Sequence, residues 1–330
     1  MKILLTFDHE LYFGQSGSVE KCIIQPGERL LKISKEFSIP FNFFFDAGLI
    51  SKLEEQKENN IYAKEQHQKL LSHLISINES ESSVYLHVHP HWEDAVLEET
   101  KWIFNTHRYK LSDFNKAEAK QIILKYAHSI QKHNIKLGSA FRAGGWCIQP
   151  FSYFKQALID LNIRIDSSVI VNEYKSSEHY EYDFRSAPDK CQYRFEDNPA
   201  EEDHNGSFLE IPVSSRMVNP TFYWILYVLG RLNPRLHKPI GDGLPIMEKG
   251  FRQRILTQRT RQYISVDGYN ARLLNKSQKQ ILKDGKDCMV VLSHPKAMSE
   301  YSFNRLHTFI KNNCDKHEFV NYEYFLKSNV

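Results

Sequence analysis

Four short stretches, far apart in the chain, each end a strand-like run with residues that bind metal or move protons. They are Thr6-Phe7-Asp8-His9-Glu10, His87-Val88-His89-Pro90-His91, Phe141-Arg142-Ala143-Gly144-Gly145-Trp146 and Ser293-His294-Pro295. Between them they hold two carboxylates, a histidine cluster, an arginine and a late histidine. A metal-dependent hydrolase needs those parts: ligands for a divalent ion, a base for water and an acid for the leaving group.

If the first strand continues to residue 10, alternation puts Asp8 and Glu10 on one face and His9 on the other. A catalytic base beside a metal ligand is then in reach; a lone solvated strand end is the plainer alternative. His87, His89 and His91 have period two and would share a face of an extended segment. Pro90 breaks the regularity, so two of them rather than three are expected to converge. Imidazole is the commonest neutral metal ligand, and one carboxylate with two histidines gives a catalytic zinc its three protein ligands. Arg142 can hold a carboxylate by a paired hydrogen bond. His294 needs an acidic partner to serve as a proton donor, and Asp166, in Ile165-Asp166-Ser167-Ser168, ends another strand-like run. The bland alternatives are a surface histidine cluster, a structural ion pair at Arg142 and a structural His294.

These residues must be positioned by the elements that end at them. Seven runs read as buried strands: residues 2–7, 41–45, 84–89, 138–142, 163–169, 208–213 and 289–293. Helix-like stretches separate most of them. Pro26 and Pro150 stand at plausible first helical positions, and residues 114–133 and 299–313 carry helical apolar spacing. Alternating strands and helices predict a parallel sheet, and chemistry at the strands' C-terminal ends predicts an α/β fold closed or nearly closed into a barrel. The chain reads as a single domain over 1–330. Residues 172–207 and 215–275 read as insertions that shape a cleft.

The whole-chain properties set the class. With 330 residues, 41% hydrophobic and 25% charged, the chain suits a soluble globular protein with a sizeable core. A net charge of +3 is too small to make nucleic acid the main partner. Five scattered cysteines without a CxxC pair predict a reducing compartment. There is no apolar leader before Asp8 and no membrane-spanning run, so the expected location is cytoplasmic.

The ordered motifs resemble the polysaccharide deacetylase family, also called the NodB-homology or family-four carbohydrate esterase group. Thr6-Phe7-Asp8-His9-Glu10 is similar to its first motif, and His87 and His91 to its two histidines four residues apart. Phe141 to Trp146 is similar to its arginine motif. Asp166-Ser167-Ser168 and Ser293-His294-Pro295 are similar to its last two. The likeness spans Asp8 to His294. It implies a distorted (β/α) barrel, usually of seven strands, a divalent metal, commonly zinc, and removal of an N-acetyl group from an amino sugar. By matched position, Asp8 is the base, Arg142 orients it, and His294, tuned by Asp166, protonates the leaving amine. Glu10, His87 and His91 bind the metal, with His9 and His89 as further candidates. Trp146 is a candidate substrate contact. The chain departs from the usual pattern at His9, where a second aspartate is common, and at Gly144, where proline is common. These features resemble an Asp-x-acid branch that includes proteins of surface-polysaccharide biosynthesis.

That resemblance, with the absence of a secretion signal, makes the expected substrate a surface-polysaccharide precursor, nucleotide- or lipid-linked. The basic residues Arg231, Arg235, Lys238, Arg252, Arg254, Arg259 and Arg261 suit a phosphate on it. The apolar run Phe222 to Leu229 suits either a core helix or peripheral contact with a membrane. Two other functions fit the same scaffold: hydrolysis of another small amide or formamide, and non-catalytic glycan binding.

Overall fold

The computed structural model describes residues 1–246 and 250–327; residues 247–249, within the expected 215–275 insertion, and 328–330 lie outside them. Its frame is one sheet of nine strands: β1 (Lys2–His9), β2 (Asn42–Asp46), β3 (Ser83–Val88), β4 (Leu137–Ala143), β5 (Ile165–Asp166), β6 (Tyr193–Phe195), β7 (Phe208–Glu210), β8 (Cys288–Ser293) and β9 (Glu318–Phe319). The order is β6-β7-β5-β4-β3-β2-β1-β8, with β9 added beside β1. From β7 to β8 all neighbours are parallel, and β6 alone is antiparallel. The antiparallel edge strand belongs to the 172–207 stretch, which thus contributes to the sheet as well as covering it.

Parallel neighbours need crossovers, and helices supply most of them. Helices α1 (Gln25–Phe37), α2 (Ala47–Gln56), α3 (Ile61–Asn78) and α4 (Lys116–Gln131) occupy the connections from β1 to β4. The sequence marks their starts. Pro26 sits in the first turn of α1. Asn60 caps α3 by accepting from the Ala63 N–H. Asn115 and Glu118 cap α4 reciprocally.

The expected seven-stranded barrel is not closed by a ladder. Seven parallel strands run from β7 to β8 along the sheet, but among the described residues no ladder joins β7 to β8, so the sheet is curled and partly open. Irregular chain fills the gap. The Ser214 N–H donates to Val290 O at 3.2 Å, and the Leu292 N–H donates to Ile264 O at 3.0 Å. The strands at this side are short: β5 spans two residues and β7 three. They run out before they can curl into register with β8.

Strand alternation divides the core in two. Ile3, Leu5 and Phe7 of β1, Phe43 and Phe45 of β2, and Met289 and Val291 of β8 pack outward among the helices. Leu4, Phe44, Tyr85, Ala140, Val290 and Leu292 pack on the concave side. Continuing the inward parity past each strand's C-terminal end reaches Asp8 and Glu10, His87 and His89, Arg142 and His294. The chemistry-bearing residues are therefore the upper rows of the inner layer, where apolar side chains give way to polar ones.

Candidate active site

Asp8 is buried near the end of β1, and Arg142, fully buried on β4, donates to its Oδ1 at 2.5 Å. The guanidinium is held on every side. Its Nε donates to Ser167 O at 2.9 Å, and it further donates to the hydroxyls of Thr6, Ser167 and Tyr322. Its plane rests 4.0 Å from the Phe44 ring centroid. A charge desolvated to this degree is tolerable only with all its donors engaged.

Beside this pair, Glu10 receives two imidazoles. Its Oε2 lies 2.7 Å from His89 Nε2 and 3.2 Å from His87 Nε2, and the two nitrogens are 3.1 Å apart. His87 Nδ1 donates to Arg142 O at 2.8 Å, which fixes the tautomer and aims Nε2 inward. The other Glu10 oxygen accepts from Lys296 Nζ at 2.9 Å. Burial would raise the Glu10 carboxyl, but Lys296, His89 and His87 outweigh it and hold it well below its usual range. For His87, burial pulls the imidazole down. The hydrogen bond to Glu10 and the charges of Asp8, Glu10 and Asp46 outweigh that and bring it to about 8.

Three donor atoms, one oxygen and two nitrogens, thus converge at ligand-to-ligand spacing, with one imidazole oriented from behind. The set fits a divalent ion that accepts nitrogen and oxygen ligands. Among the described residues, Glu54–His67–His133 and Cys191–Asp287–Cys288 are also grouped closely. Glu54 of the former is already paired with Lys57 and Lys132.

His91 is not in the cluster, contrary to the pairing that the four-residue spacing implies. His89 is still extended, but Pro90 starts a 3-10 turn over Pro90–Asp94 that carries His91 away. The His91 ring is buried, stacked 5.0 Å from Tyr109, with neither nitrogen hydrogen-bonded. Burial, with the charge of His89, keeps it neutral by lowering it well below the usual range. His9 faces the helices, 3.3 Å from His73 Nε2, and is likewise kept neutral, chiefly by burial.

Asp166 does not reach His294. It accepts from the Ser168 hydroxyl at 2.8 Å and shares a buried pocket with Glu210, whose carboxyl is pushed far up by burial and by Asp166. Ile165 packs on the concave side beside Ala140, so alternation turns Asp166 outward, in register with Phe141 and away from the cleft. The partner of His294 is Asp267, whose two oxygens lie 2.7 Å from the His294 backbone N and 3.0 Å from Nδ1. Burial lowers the imidazole, but Asp267, Glu10 and Asp8 together raise it above its ordinary value. His294 Nε2 lies 3.6 Å from Glu10 Oε1.

Asp267 and Lys296 were not singled out by sequence reasoning. Asp267 had a signal: Tyr263-Ile264-Ser265-Val266 is a short strand-like run ending in Asp-Gly, the same pattern as the motifs that were found. Lys296 follows His294 by two residues, but a lysine after a proline carries no mark of burial.

A cleft of about 620 Å³ opens over these groups, and Asp8, Glu10, His87, His89, Asp267, His294 and Lys296 line it. Its walls are aromatic, with Tyr12, Phe13, Tyr109, Trp146, Tyr182 and Tyr263 among them. Trp146 is placed by Gly144 and Gly145. A Cβ on Gly144 would lie 2.5 Å from His89 Nδ1, and Gly145 has φ +60°. These glycines let the loop pass directly over the histidines.

No family model matches the chain, and no curated protein matches it by sequence. Solved structures do match. A "putative polysaccharide deacetylase" from Mycobacterium smegmatis superposes with a TM-score of 0.54 at 13% identity, covering 99% of this chain and 89% of its own. A family 4 carbohydrate esterase from Streptomyces lividans gives 0.40 at 9% identity, with coverage of 97% and 92%. A GH57 branching enzyme from Thermococcus kodakaraensis gives 0.49 at 10%, with 99% and 70%. Of these three, the first alone superposes closely enough to show a shared fold. At that identity the likeness is one of architecture: this chain has a deacetylase-type α/β fold.

Proposed function

We propose that the protein is a metal-dependent hydrolase that removes an N-acetyl group from an amino sugar, the whole chain serving as one catalytic domain of the polysaccharide-deacetylase kind. The observation that carries this reading is the meeting of three units in one cleft: the Asp8–Arg142 pair, the Glu10–His87–His89 donor set and the His294–Asp267 pair. Glycan binding alone requires neither a base nor an acid.

Glu10, His87 and His89 would hold the metal, with zinc the best fit to their donors. When bound, such an ion polarises the amide carbonyl and lowers the pKa of water. The rest falls to side chains. Asp8, oriented by Arg142, takes the proton of the attacking water. Lys296 fixes the second oxygen of Glu10. His294, held in one tautomer by Asp267, gives its proton to the sugar nitrogen as the C–N bond breaks, since an amine leaves poorly unless protonated. The products are acetate and a free amino sugar. Trp146 and the tyrosine walls supply stacking faces for a pyranose ring. Arg254 and Arg261 on the cleft wall suit a phosphorylated precursor, nucleotide- or lipid-linked.

Acetate release is the test. Metal-stripped protein, protein restored with Zn²⁺, Co²⁺, Ni²⁺ or Fe²⁺, and an Asp8→Asn control are assayed on N-acetylated nucleotide sugars, lipid-linked sugars and oligosaccharides. Metal-dependent release lost in the control is expected. Release from small formamides but from no sugar would replace the substrate class. Metal binding with no release from any amide would replace the reaction.

A further inference from the structure

The stretch from residue 214 to 263 is unlike the rest of the molecule. It carries nine lysines and arginines against two acids, a net charge of +7, while the remainder of the chain sums to −4. Within it lies α5 (Pro220–Leu232), whose sequence PTFYWILYVLGRL has the composition of a core helix, yet Tyr223 is its one buried residue. Trp224, Ile225, Val228 and Leu232 are 51%, 49%, 51% and 75% exposed. Their spacing puts them in one stripe along the helix. Trp224 Nε1 donates to Leu256 O at 3.0 Å, so the ring is held in place while half of it faces solvent.

Cations flank this stripe. The guanidinium groups of Arg231 and Arg252 lie 3.8 and 5.1 Å from the Tyr227 ring centroid. Among the described residues, Arg231, Arg235, Lys238, Arg252 and Arg259 take part in no ion pair. We propose that α5 and the flanking basic residues form a docking surface for an anionic lipid bilayer, with the helix lying in the plane of the interface.

Three physical points favour that occupant. The helix is about 20 Å long, too short to cross a hydrocarbon core of about 30 Å, and among the described residues no helix is long and apolar enough to span. Apolar side chains with a tryptophan, rimmed by arginines, match the layered polarity of a membrane surface. A second copy of the chain suits the face poorly. A two-fold contact would set the same cations against one another, whereas the cores of homodimer interfaces are depleted in charge.

The docking element is also a wall of the cleft. Phe251 and Arg254 line it from the Phe251–Thr257 helix, which packs on α5. Docking therefore sets the cleft mouth at the lipid surface. On the deacetylase reading, and resting on it, the favoured substrate is then a lipid-linked sugar rather than a free nucleotide sugar.

Vesicle flotation of the full chain tests the surface independently of any reaction. Vesicles of phosphatidylcholine alone are compared with vesicles containing phosphatidylglycerol, at low and high salt. Binding at least about tenfold tighter to the anionic vesicles and weakened by salt is expected. A Val228→Asp/Leu232→Asp variant should lose it, and an Arg231→Gln/Arg235→Gln variant should bind both vesicles alike. All four positions are solvent-facing, so unchanged melting curves confirm that the variants fold. Absent binding, equal binding of the wild type to both vesicles, or a concentration-dependent dimer dispersed by the same aspartates would each overturn the proposal. Acetate release from a soluble, unphosphorylated N-acetylated sugar should be unchanged in these variants, because none of the four positions lines the cleft. If no protein releases acetate while vesicle binding holds, the deacetylase reading fails and the docking surface stands.

Discussion

Asp267 engages His294 twice, with one oxygen on its backbone N–H at 2.7 Å and the other on Nδ1 at 3.0 Å. The double contact fixes ring position and tautomer together, leaving Nε2 directed into the cleft. It also stabilises the imidazolium, which extends the pH range in which His294 can donate a proton. Asp267→Asn keeps the shape but removes the charge. Its acetate release should fall by roughly 10²-fold or more, the usual scale of a general acid's contribution. The alkaline limb of kcat should move to lower pH. Asp166→Asn, although isosteric at a buried site, should leave that limb in place. A pH–rate profile of both variants decides between the two aspartates.

His87 sets the pH dependence of metal uptake. In the metal-free protein its imidazole titrates at about 8, above the roughly 6.5 of an unfolded chain. A raised folded-state value means that its contribution to stability is complete below about 6.5 and is lost as the pH rises through about 8. A metal needs Nε2 deprotonated, so the ion must expel that proton below about 8. Affinity should therefore fall about tenfold for each pH unit below that point. Calorimetric titration with Zn²⁺ in two buffers of different ionisation enthalpy should show close to one proton released at neutral pH. No proton release would place the metal elsewhere.

Much of this arrangement was legible in the sequence because period-two patterning carries direct geometric content. The runs at 2–7, 84–89 and 289–293 correspond closely to strands, and their parity placed Asp8 and Glu10 on the inner face and His9 on the outer. Parity stops being informative where a strand stops. His91 has the right parity, but the 3-10 turn at Pro90 cancels it. Asp166 has the outward parity, one residue out of step with Ile165 on the concave side. Asp267 lies in irregular chain that fills the open side of the sheet, so no periodic pattern announces that it meets His294. The closed barrel failed for the same reason. The apolar runs at 163–169 and 208–213 are long enough to be strands, but only two and three of their residues find ladder partners.

Arg142 links the site to the stability of the fold. Replacing it with methionine would leave Asp8 buried without its cation, and the cost of breaking such a pair is about 3–5 kcal/mol. Urea unfolding of Arg142→Met should show a loss on that scale, together with loss of activity. Arg142→Lys restores the charge but not the planar fork that serves Asp8, Thr6, Ser167 and Tyr322 at once. It should recover part of the stability and little of the turnover. Equal activity in the lysine variant would mean that orientation of Asp8 does not depend on the guanidinium.

The two histidines after β3 offer the sharpest contrast. His89 Nε2 sits 2.7 Å from Glu10, whereas both ring nitrogens of His91 are buried without partners. Desolvating an imidazole without hydrogen bonds costs about 1–3 kcal/mol, and a phenyl ring in its place would keep the stack on Tyr109 without that cost. His91→Phe should therefore bind metal like the wild type and melt at the same temperature or higher. His89→Ala should lose metal affinity by more than the roughly 10–100-fold that removal of an outer partner causes. Metal content after dialysis and thermal melts of both variants give the comparison. If His91→Phe loses the metal while His89→Ala keeps it, the ligand set is the one implied by the four-residue spacing, and the turn at Pro90 must open when the ion binds.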